Sequence, residues 1–212
     1  MRILNVKLHE WFPPDDELAT KMARICILRE ELMYEFLCTR DSNNFPMDDD
    51  FGVAWRKVYF LRKMFSTLDE MHSAIEHLSC DKNFKAFKQK QPIYFKRKWD
   101  ELKKAFNSAD VIINDIRNDI GAHVSHDSVK KALNNKNMIK RDSSSLHISR
   151  QGPMKTHYKF VGELIMAVMA KDSDDEHKRA NETVDALIEA TKSLFLVIDW
   201  LFFSYAKERK LL

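Results

Sequence analysis

The chain has 212 residues, a formal net charge of +3 and 44% hydrophobic residues. This length suits one domain, or one domain with an elaboration, and the hydrophobic fraction is enough for a buried core. Only four glycines and five prolines are present, which with abundant Lys, Glu, Leu, Ala and Met predicts a mostly helical protein. Three cysteines do not suggest a disulfide framework, and no signal peptide or membrane span is evident, so a cytoplasmic location is expected.

The first part of the chain predicts an arm followed by a long helix. Residues 1 to 12 are expected to form a short strand or arm, and Pro13-Pro14 with the acidic residues after them is typical of a helix start. This helix runs to about Thr39. Arg29 falls in the middle of its apolar face, where a charge needs a partner or a wet cavity. The apolar face consists of Leu18, Met22, Ile25, Leu32 and Phe36.

A polar loop at residues 41 to 50 separates this helix from a second one, predicted from about Phe51 to Ser79. The apolar residues of the second helix recur at steps of three and four, which is the spacing of one buried helical face. They are Leu61, Met64, Phe65, Leu68, Met71, Ile75 and Leu78.

Residues 81 to 104 change character, with nine basic residues against three acidic ones. Aromatic residues are interleaved with these charges, and Phe84, Phe87 and Tyr94 are candidates for stacking on the bases of single-stranded RNA. The alternative interpretation is an ordinary helix face coated with lysines.

A third helix begins near Pro92 and has the clearest periodicity in the chain. Its apolar stripe brings Arg117 to the edge of the core face, just before Gly121 can end the helix with a positive φ. The stripe is Phe95, Trp99, Leu102, Phe106, Ala109, Ile113, Ile116 and Ile120.

The residues that follow this stripe can carry chemistry. On a continuous helix Arg117 and His123 would lie roughly 9 Å and 120° apart, but a reversal at Gly121 can fold His123 back beside Arg117. An imidazole suits proton transfer near neutral pH, and a guanidinium grips phosphate oxygens with two hydrogen bonds. Together they suit attack of an RNA 2′-hydroxyl on the adjacent phosphate without a metal, with Asn118 orienting either partner.

Two other interpretations of these residues stay open. Arg117 can simply complement the helix dipole in the last turn, and Gly121 can be an ordinary residue that ends a helix. His123, His126 and Asp127 could bind zinc, but no further metal-type ligands cluster in the sequence. Carboxylates at the Glu-x-x-His spacing of a metal-dependent phosphohydrolase are not obvious either, so no metal and no cofactor are expected.

Positive charge brackets this motif on both sides. A short helix is predicted through Leu133, and residues 127 to 160 carry eight basic residues against two acidic ones, which favours a polyanionic partner. Residues 134 to 159 form a polar insert, expected to be a loop or a β-hairpin around the turn Gln151-Gly152-Pro153. The candidate substrate-binding residues are His126, Lys96, Arg97, Lys130 and Lys131.

The end of the chain predicts two further helices, one at about 160 to 170 and a long one after a capping box at 173 to 176. The segment Leu194 to Tyr205 is apolar on nearly every side, so its helix is expected to be central in a bundle or half of a dimer interface. Its stripe is Ala180, Val184, Leu187, Leu194, Ile198, Leu201 and Tyr205. Asp199 lies in this apolar segment, and we expect Asp199 and Arg29 to be buried and paired.

The pattern R-N-x4-H at Arg117, Asn118 and His123 resembles the signature of HEPN-domain proteins, many of which are metal-independent endoribonucleases. The resemblance implies a homodimer whose two motifs face one another across a shared RNA cleft. It also implies that His123 transfers the proton, Arg117 clamps the phosphate and Asn118 assists. Members of the family include toxins held by an antitoxin protein, phage-defence effectors, and proteins that bind nucleic acid or partners without cutting.

The sequence therefore predicts an all-α, up-and-down bundle of four to five main helices, HEPN-like, in a single domain of residues 1 to 212. The bundle helices lie in 13–133 and 160–210, with the insert at 134–159. The predicted function is cleavage of single-stranded RNA. The alternative is a non-catalytic helical module that binds nucleic acid, or binds a protein through the Leu194–Tyr205 surface.

Overall fold

A computed structural model describes residues 7–40, 50–116, 126–134, 146–147, 157–158, 164–165, 167 and 176–211. Within these residues almost all of the backbone is helical, which confirms the all-α prediction. The helices are α1 (Leu8–Trp11), α2 (Glu17–Arg40), α3 (Asp50–Cys80), α4 (Lys82–Lys90), α5 (Ile93–Ile116), α6 (His126–Leu133) and α7 (Glu176–Glu208).

The long helices begin and end close to the predicted positions, because each has an apolar stripe with a polar break before and after it. The first predicted helix corresponds to α2, the second to α3, and the third begins at Ile93, directly after Pro92. The carbonyl of Pro92 accepts the first hydrogen bond of α5, from the amide of Lys96 at 3.2 Å. Proline can occupy this place because its missing N–H would have no partner in the first turn.

Two elements differ from the prediction. Residues Leu8–Trp11, predicted to belong to a short strand or arm, form one helical turn; residues 1 to 6 of that segment lie outside the described residues. Lys82–Lys90 form a separate helix, α4, whose first turn is capped by the Asp81 carboxylate. A cap and two phenylalanines on one side are enough to make this lysine-rich stretch a packed helix.

Helices α3 and α5 pack antiparallel. His72 is bonded to Asn107 at 3.0 Å, Glu76 pairs with Lys103 at 3.1 Å, and the Trp99 indole donates to Ser79 at 3.3 Å. As the residue number rises along α3, it falls along α5 by nearly the same amount. The short α4 makes this reversal compact.

Helix α7 runs antiparallel to both α2 and α5. On the α2 side, Asp199 pairs with Arg29, and Arg209 pairs with Asp16. On the α5 side, Glu208 pairs with Lys90 just before α5, and Trp200 contacts the ring of Tyr94. The up-and-down arrangement predicted from the sequence is therefore present among these helices.

The chain divides into two compact units. Unit 1 comprises Met1–Leu32, Leu68–Asp110 and Ile188–Leu212, and unit 2 comprises Met33–Thr67 and Val111–Leu187. Whether residues 1 to 212 form a single domain, as predicted, stays a prediction. The largest fully buried side chains of unit 1 are Met22, Ile25, Leu32, Leu68, Met71, Phe84, Phe95, Trp99, Phe106 and Tyr205.

Unit 2 contains a smaller set of buried residues among those described. Met64 and Phe65 of α3 are buried, as are Ile165 and Leu187. Its buried polar groups include Glu35, whose carboxylate accepts a hydrogen bond from the Thr67 hydroxyl at 3.0 Å. This bond provides a buried carboxylate with a donor, which lowers the cost of removing it from water.

A short antiparallel pair of strands, β1 (Leu146–His147) and β2 (His157–Tyr158), lies in the predicted insert. His147 is opposite His157, so the register is centred on Gly152, where the sequence predicts the turn. Residues 148 to 156 lie outside the described residues. No helix in the described part of the chain has an apolar run long enough to cross a lipid bilayer.

Candidate functional site

The Arg–His motif lies between two described helices. Arg117, Asn118 and His123 fall outside the described residues, which end at Ile116 on α5 and resume at His126 on α6. The predicted roles of these three residues, and the proximity of Arg117 to His123, stay predictions. The structure defines the helices that enter and leave the motif.

Helix α6 presents polar residues next to the motif. His126 is its first residue and Asp127 lies in its first turn, and both are exposed. Lys130 is exposed one turn later, and Lys131 is part of the same helix, although its side chain lies outside the description. An imidazole and an ammonium group on one short helix can both contact an anion such as a phosphate.

The two candidate cations on α5 differ in their surroundings. Lys96 is half-buried and forms no ion pair with another described residue. Arg97 is exposed, lies 3.6 Å from the carboxylate of Glu101, and has its guanidinium 5.5 Å from the centre of the Tyr94 ring. Glu101 also accepts a hydrogen bond from Lys98 at 2.7 Å, and this bond, with the charges of Lys98 and Arg97, lowers the pKa of the Glu101 carboxyl group.

Much of the positive charge in residues 81 to 104 is neutralised locally. Lys88 pairs with Asp100, Lys90 with Glu208 at 2.6 Å, and Lys103 with Glu76. In contrast, Lys82, Lys85 and Lys96 form no ion pair within the described ranges. The basic stretch is therefore partly a network of ion pairs between helices, and partly a set of cations without an ion pair among the described residues.

Two of the three candidate stacking residues are buried, so that prediction is wrong for Phe84 and Phe87. Phe84 lies 4.9 Å from the Trp99 ring and 5.9 Å from the Phe87 ring, between α4 and α5. The two phenylalanines lie three positions apart, on one face of α4, and that face is covered by the core. Tyr94 remains available, because 45% of its surface is exposed.

The pairing of Arg29 with Asp199 is confirmed. The guanidinium donates two hydrogen bonds to the Asp199 carboxylate, at 3.0 and 3.1 Å, and a third to Glu30 at 2.6 Å. The predicted burial is only partial for both residues: the side chain of Arg29 is 18% exposed and that of Asp199 is 48% exposed. Asp199 lies at the edge of the contact between α2 and α7, so its carboxylate keeps part of its hydration.

Helix α7 exposes an apolar face, so the Leu194–Tyr205 segment is not covered on every side by the described residues, as a central helix of the bundle would be. Leu196, Trp200 and Phe203 are 74%, 38% and 56% exposed. They lie at positions i, i+4 and i+7, which share one side of a helix. A helical wheel separates these three residues from the buried stripe Leu194, Ile198, Leu201 and Tyr205.

A groove lies beside this face, between the start of α5 and the end of α7, with a volume of about 930 Å³. It is lined by Lys90, Gln91, Pro92, Trp200, Phe203, Ser204, Lys207 and Glu208. Aromatic rings next to lysines provide flat apolar contact and positive charge in the same place. The groove lies entirely within unit 1.

His126 and Asp127 of α6 are the two described members of the zinc-binding group that the sequence offers as an alternative. Among the residues that the structure describes, no group of three His, Cys, Asp or Glu side chains could hold a metal ion. His123, the third member of that group, lies outside the described residues, so zinc binding by His123, His126 and Asp127 stays an alternative.

Comparisons of the chain with protein-family models, with curated proteins and with solved structures find no match. The resemblance to HEPN-domain proteins therefore depends on the residues of the motif and on a helical architecture.

Proposed function

We propose that this protein is an HEPN-like, metal-independent endoribonuclease that cleaves single-stranded RNA. The observation that carries the proposal is the motif of Arg117, Asn118 and His123, placed in the sequence between the end of α5 and the start of α6. His123 supplies a proton-transfer group and Arg117 a phosphate-binding cation, and these two groups are the minimum that RNA cleavage without a metal needs.

The packing of α5 supports this placement. Phe95, Trp99, Leu102 and Phe106 are buried along one face, so the helix is fixed by its core contacts before it reaches the motif. A functional group that follows a well-packed element is positioned better than one in a free loop.

The proposed chemistry needs no redox partner. His123 removes the proton of a ribose 2′-hydroxyl, whose oxygen then attacks the adjacent phosphorus. The bond to the 5′-oxygen breaks, which gives a 2′,3′-cyclic phosphate and a 5′-hydroxyl end that takes up a proton. Arg117 binds the phosphate oxygens while negative charge develops on them.

The proposal includes a homodimer that acts in the cytoplasm, with RNA as its partner. His126, Lys96, Arg97, Lys130 and Lys131 are proposed to bind the RNA backbone. The exposed positions of His126, Arg97 and Lys130 support this role, since groups that bind phosphate must be reachable from solvent.

An RNA-degradation assay in EDTA tests the proposal. We expect the unmodified protein to cleave RNA under chelation, and His123→Ala and Arg117→Ala each to lower the rate by about 100-fold or more, because each removes a group that acts in the transition state. Capture of a 2′,3′-cyclic phosphate at the new 3′ end would identify the reaction.

Matched controls are available on the surface. His77 and Arg24 are exposed, and His77→Ala and Arg24→Ala remove the same side chains elsewhere in the chain, so both variants should keep the full rate. Full activity in His123→Ala or in Arg117→Ala would contradict the proposal. Tight RNA binding without any cleavage would instead support the non-catalytic module, which the exposed rings on α7 favour.

A further inference from the structure

Three exposed aromatic rings lie next to one another on unit 1, and we call them the aromatic platform: Tyr94, Trp200 and Phe203. The ring centres of Tyr94 and Trp200 are 5.2 Å apart, with an angle of 34° between the planes. Phe203 lies one turn after Trp200 and is 56% exposed. Large rings left open to water at one place mark a binding surface more often than a passive one.

Cations border the platform. The groove beside Trp200 and Phe203 is lined by Lys90 and Lys207, and Lys207 forms no ion pair with another described residue. On the other side, the guanidinium of Arg97 and the ammonium of Lys98 lie 5.5 and 5.9 Å from the centre of the Tyr94 ring. Four cations therefore surround the rings.

The carboxylates near the platform do not cancel this charge. Glu101 pairs with Arg97 and Lys98, and Glu208 pairs with Lys90, so two carboxylates stand against four cations. Asp199 lies on the side of α7 that faces α2, where Arg29 neutralises it. The surface around the rings is positive, which suits a polyanion.

A second copy of the chain fits this surface less well. In a two-fold contact through this face, a surface with four cations and two carboxylates would meet an identical surface, so two net positive charges would face each other. A single-stranded nucleic acid instead offers flat bases to the rings and phosphates to the lysines.

We propose that the aromatic platform binds single-stranded RNA, with bases stacked on Trp200 and Phe203 and phosphates held by Lys207. The inference rests on the proposed function in one respect, which is that RNA is the substrate. It goes further because it assigns a binding surface outside the Arg–His motif. Stacking on an aromatic ring does not discriminate between the four bases, so the platform accepts any unpaired base.

Binding can be measured separately from cleavage. Fluorescence anisotropy of a labelled oligouridylate of about 12 nucleotides, a length typical of such sites, is followed in protein carrying His123→Ala. In that background we expect Trp200→Ala and Phe203→Ala each to weaken binding about tenfold, since each removes one stacking ring. Lys207→Gln should lower the slope of log affinity against log salt by about 0.7, because one phosphate contact is lost.

Leu196→Ala is the matched control. Leu196 lies on the same face of α7 and is 74% exposed, but its side chain cannot stack on a base as a ring does. We expect its affinity to equal that of the parent. Thermal melting of each variant shows whether the fold is kept, and Phe203→Ala, at the more exposed ring, keeps the test valid if Trp200→Ala is unstable.

The outcomes separate the two proposals. If the Trp200→Ala and Phe203→Ala variants bind single-stranded RNA as tightly as the parent does, the platform is not a stacking site. The same conclusion follows if the substitutions weaken the binding of duplex RNA as much as the binding of single-stranded RNA. If they convert a dimer into monomers in light scattering, the face is a protein interface and the inference is wrong. If the protein binds RNA through the rings but never cleaves RNA, only the nuclease proposal is overturned.

Discussion

Arg29 illustrates how a single charged residue is kept in an apolar face. Its guanidinium lies between α2 and α7, bonded to Asp199 and Glu30, and 5.3 Å from the centre of the Phe195 ring. Burial alone would lower the pKa of Arg29, but the hydrogen bonds and the negative charges of Asp199 and Glu30 outweigh burial and raise it. The group therefore stays charged and joins two helices.

We expect Asp199→Asn to reduce the free energy of unfolding by about 1 kcal/mol, because a partly buried guanidinium loses its charged acceptor. The effect is modest since Asp199 is half exposed and water replaces part of the interaction. Urea denaturation measures it, and Asp185→Asn, an exposed aspartate on the same helix, is the control. In a double-mutant cycle with Arg29→Met, strictly additive losses would show that the two groups are not coupled.

The sequence could predict this pair but not its exposure. Arg29 and Asp199 each interrupt an apolar stretch, and two unpaired charges would be costly, so pairing follows from the pattern alone. The exposure of Asp199 depends on where α7 meets α2, and periodicity does not give the rotation of one helix against another. For the same reason, the exposed rings of Trp200 and Phe203 could not be separated from the core in advance.

Asp81 performs two tasks at the junction of α3 and α4. One carboxylate oxygen accepts the amide hydrogens of Asn83 and Phe84, at 2.8 and 3.0 Å, and so caps α4. The other accepts a hydrogen bond from the ammonium of Lys21 at 2.6 Å, which links the junction to α2. The hydrogen bond from Lys21 lowers the pKa of Asp81 below its ordinary value of 3.8.

Two substitutions separate the tasks. Asp81→Ala removes the cap and the ion pair, and we expect a loss of about 1 kcal/mol from the cap, seen as a fall in Tm of about 2–4 °C. Asp81→Asn keeps a good capping side chain and loses only the charge, so its Tm should fall less. Calorimetry at neutral pH distinguishes them, and equal losses would show that the cap contributes nothing.

The charge of Asp81 also predicts a dependence on pH. The folded pKa of Asp81 lies below the unfolded one, so its contribution is complete above a pH of about 4 and is lost as the pH falls through the folded pKa. The Asn variant lacks this part of the acid-induced loss. If the parent and Asp81→Asn lose stability in parallel between neutral and acidic pH, the assignment is wrong.

At this scale the sequence predicts long helices well and short ones poorly. The stripes of α2, α3, α5 and α7 span many turns, so their periodicity is unambiguous. Helix α4 has nine residues and only two buried aromatic side chains, Phe84 and Phe87, among many lysines. The aspartate cap and the i, i+3 spacing of the phenylalanines were the available signals, but so short a pattern does not distinguish a packed helix from a solvated one.

At the scale of the whole molecule, the predicted assembly is a homodimer. Light scattering should then give twice the 25.0 kDa of one chain. If the two motifs share one cleft, co-expression of Arg117→Ala with His123→Ala should restore about a quarter of the activity, because about half of the dimers are mixed and each keeps one complete Arg–His pair. A monomer, or mixed dimers as inactive as the single variants, would contradict the shared cleft.

The residues of the candidate site could be predicted from their chemistry, but their arrangement in space could not be predicted from the sequence. Spacing places Arg117 and His123 near one helix end, but the distance between them depends on the backbone after Gly121. The proposed aromatic platform on α5 and α7 combines residues about 100 positions apart in the chain, Tyr94 and Trp200. Only the antiparallel packing of the two helices brings those rings together.

The beginning and the end of the described chain meet in unit 1. The Tyr205 hydroxyl donates to the carbonyl of Trp11 at 3.1 Å, and Arg209 pairs with Asp16 and lies over the Tyr205 ring. Burial raises the pKa of Tyr205 to about 12, so this hydroxyl keeps its proton across the physiological range. The two segments therefore hold each other in place, and removal of either one would remove the contacts of the other. A fragment that starts after Asp16 and a fragment that stops before Tyr205 should both lose local stability where these two segments meet.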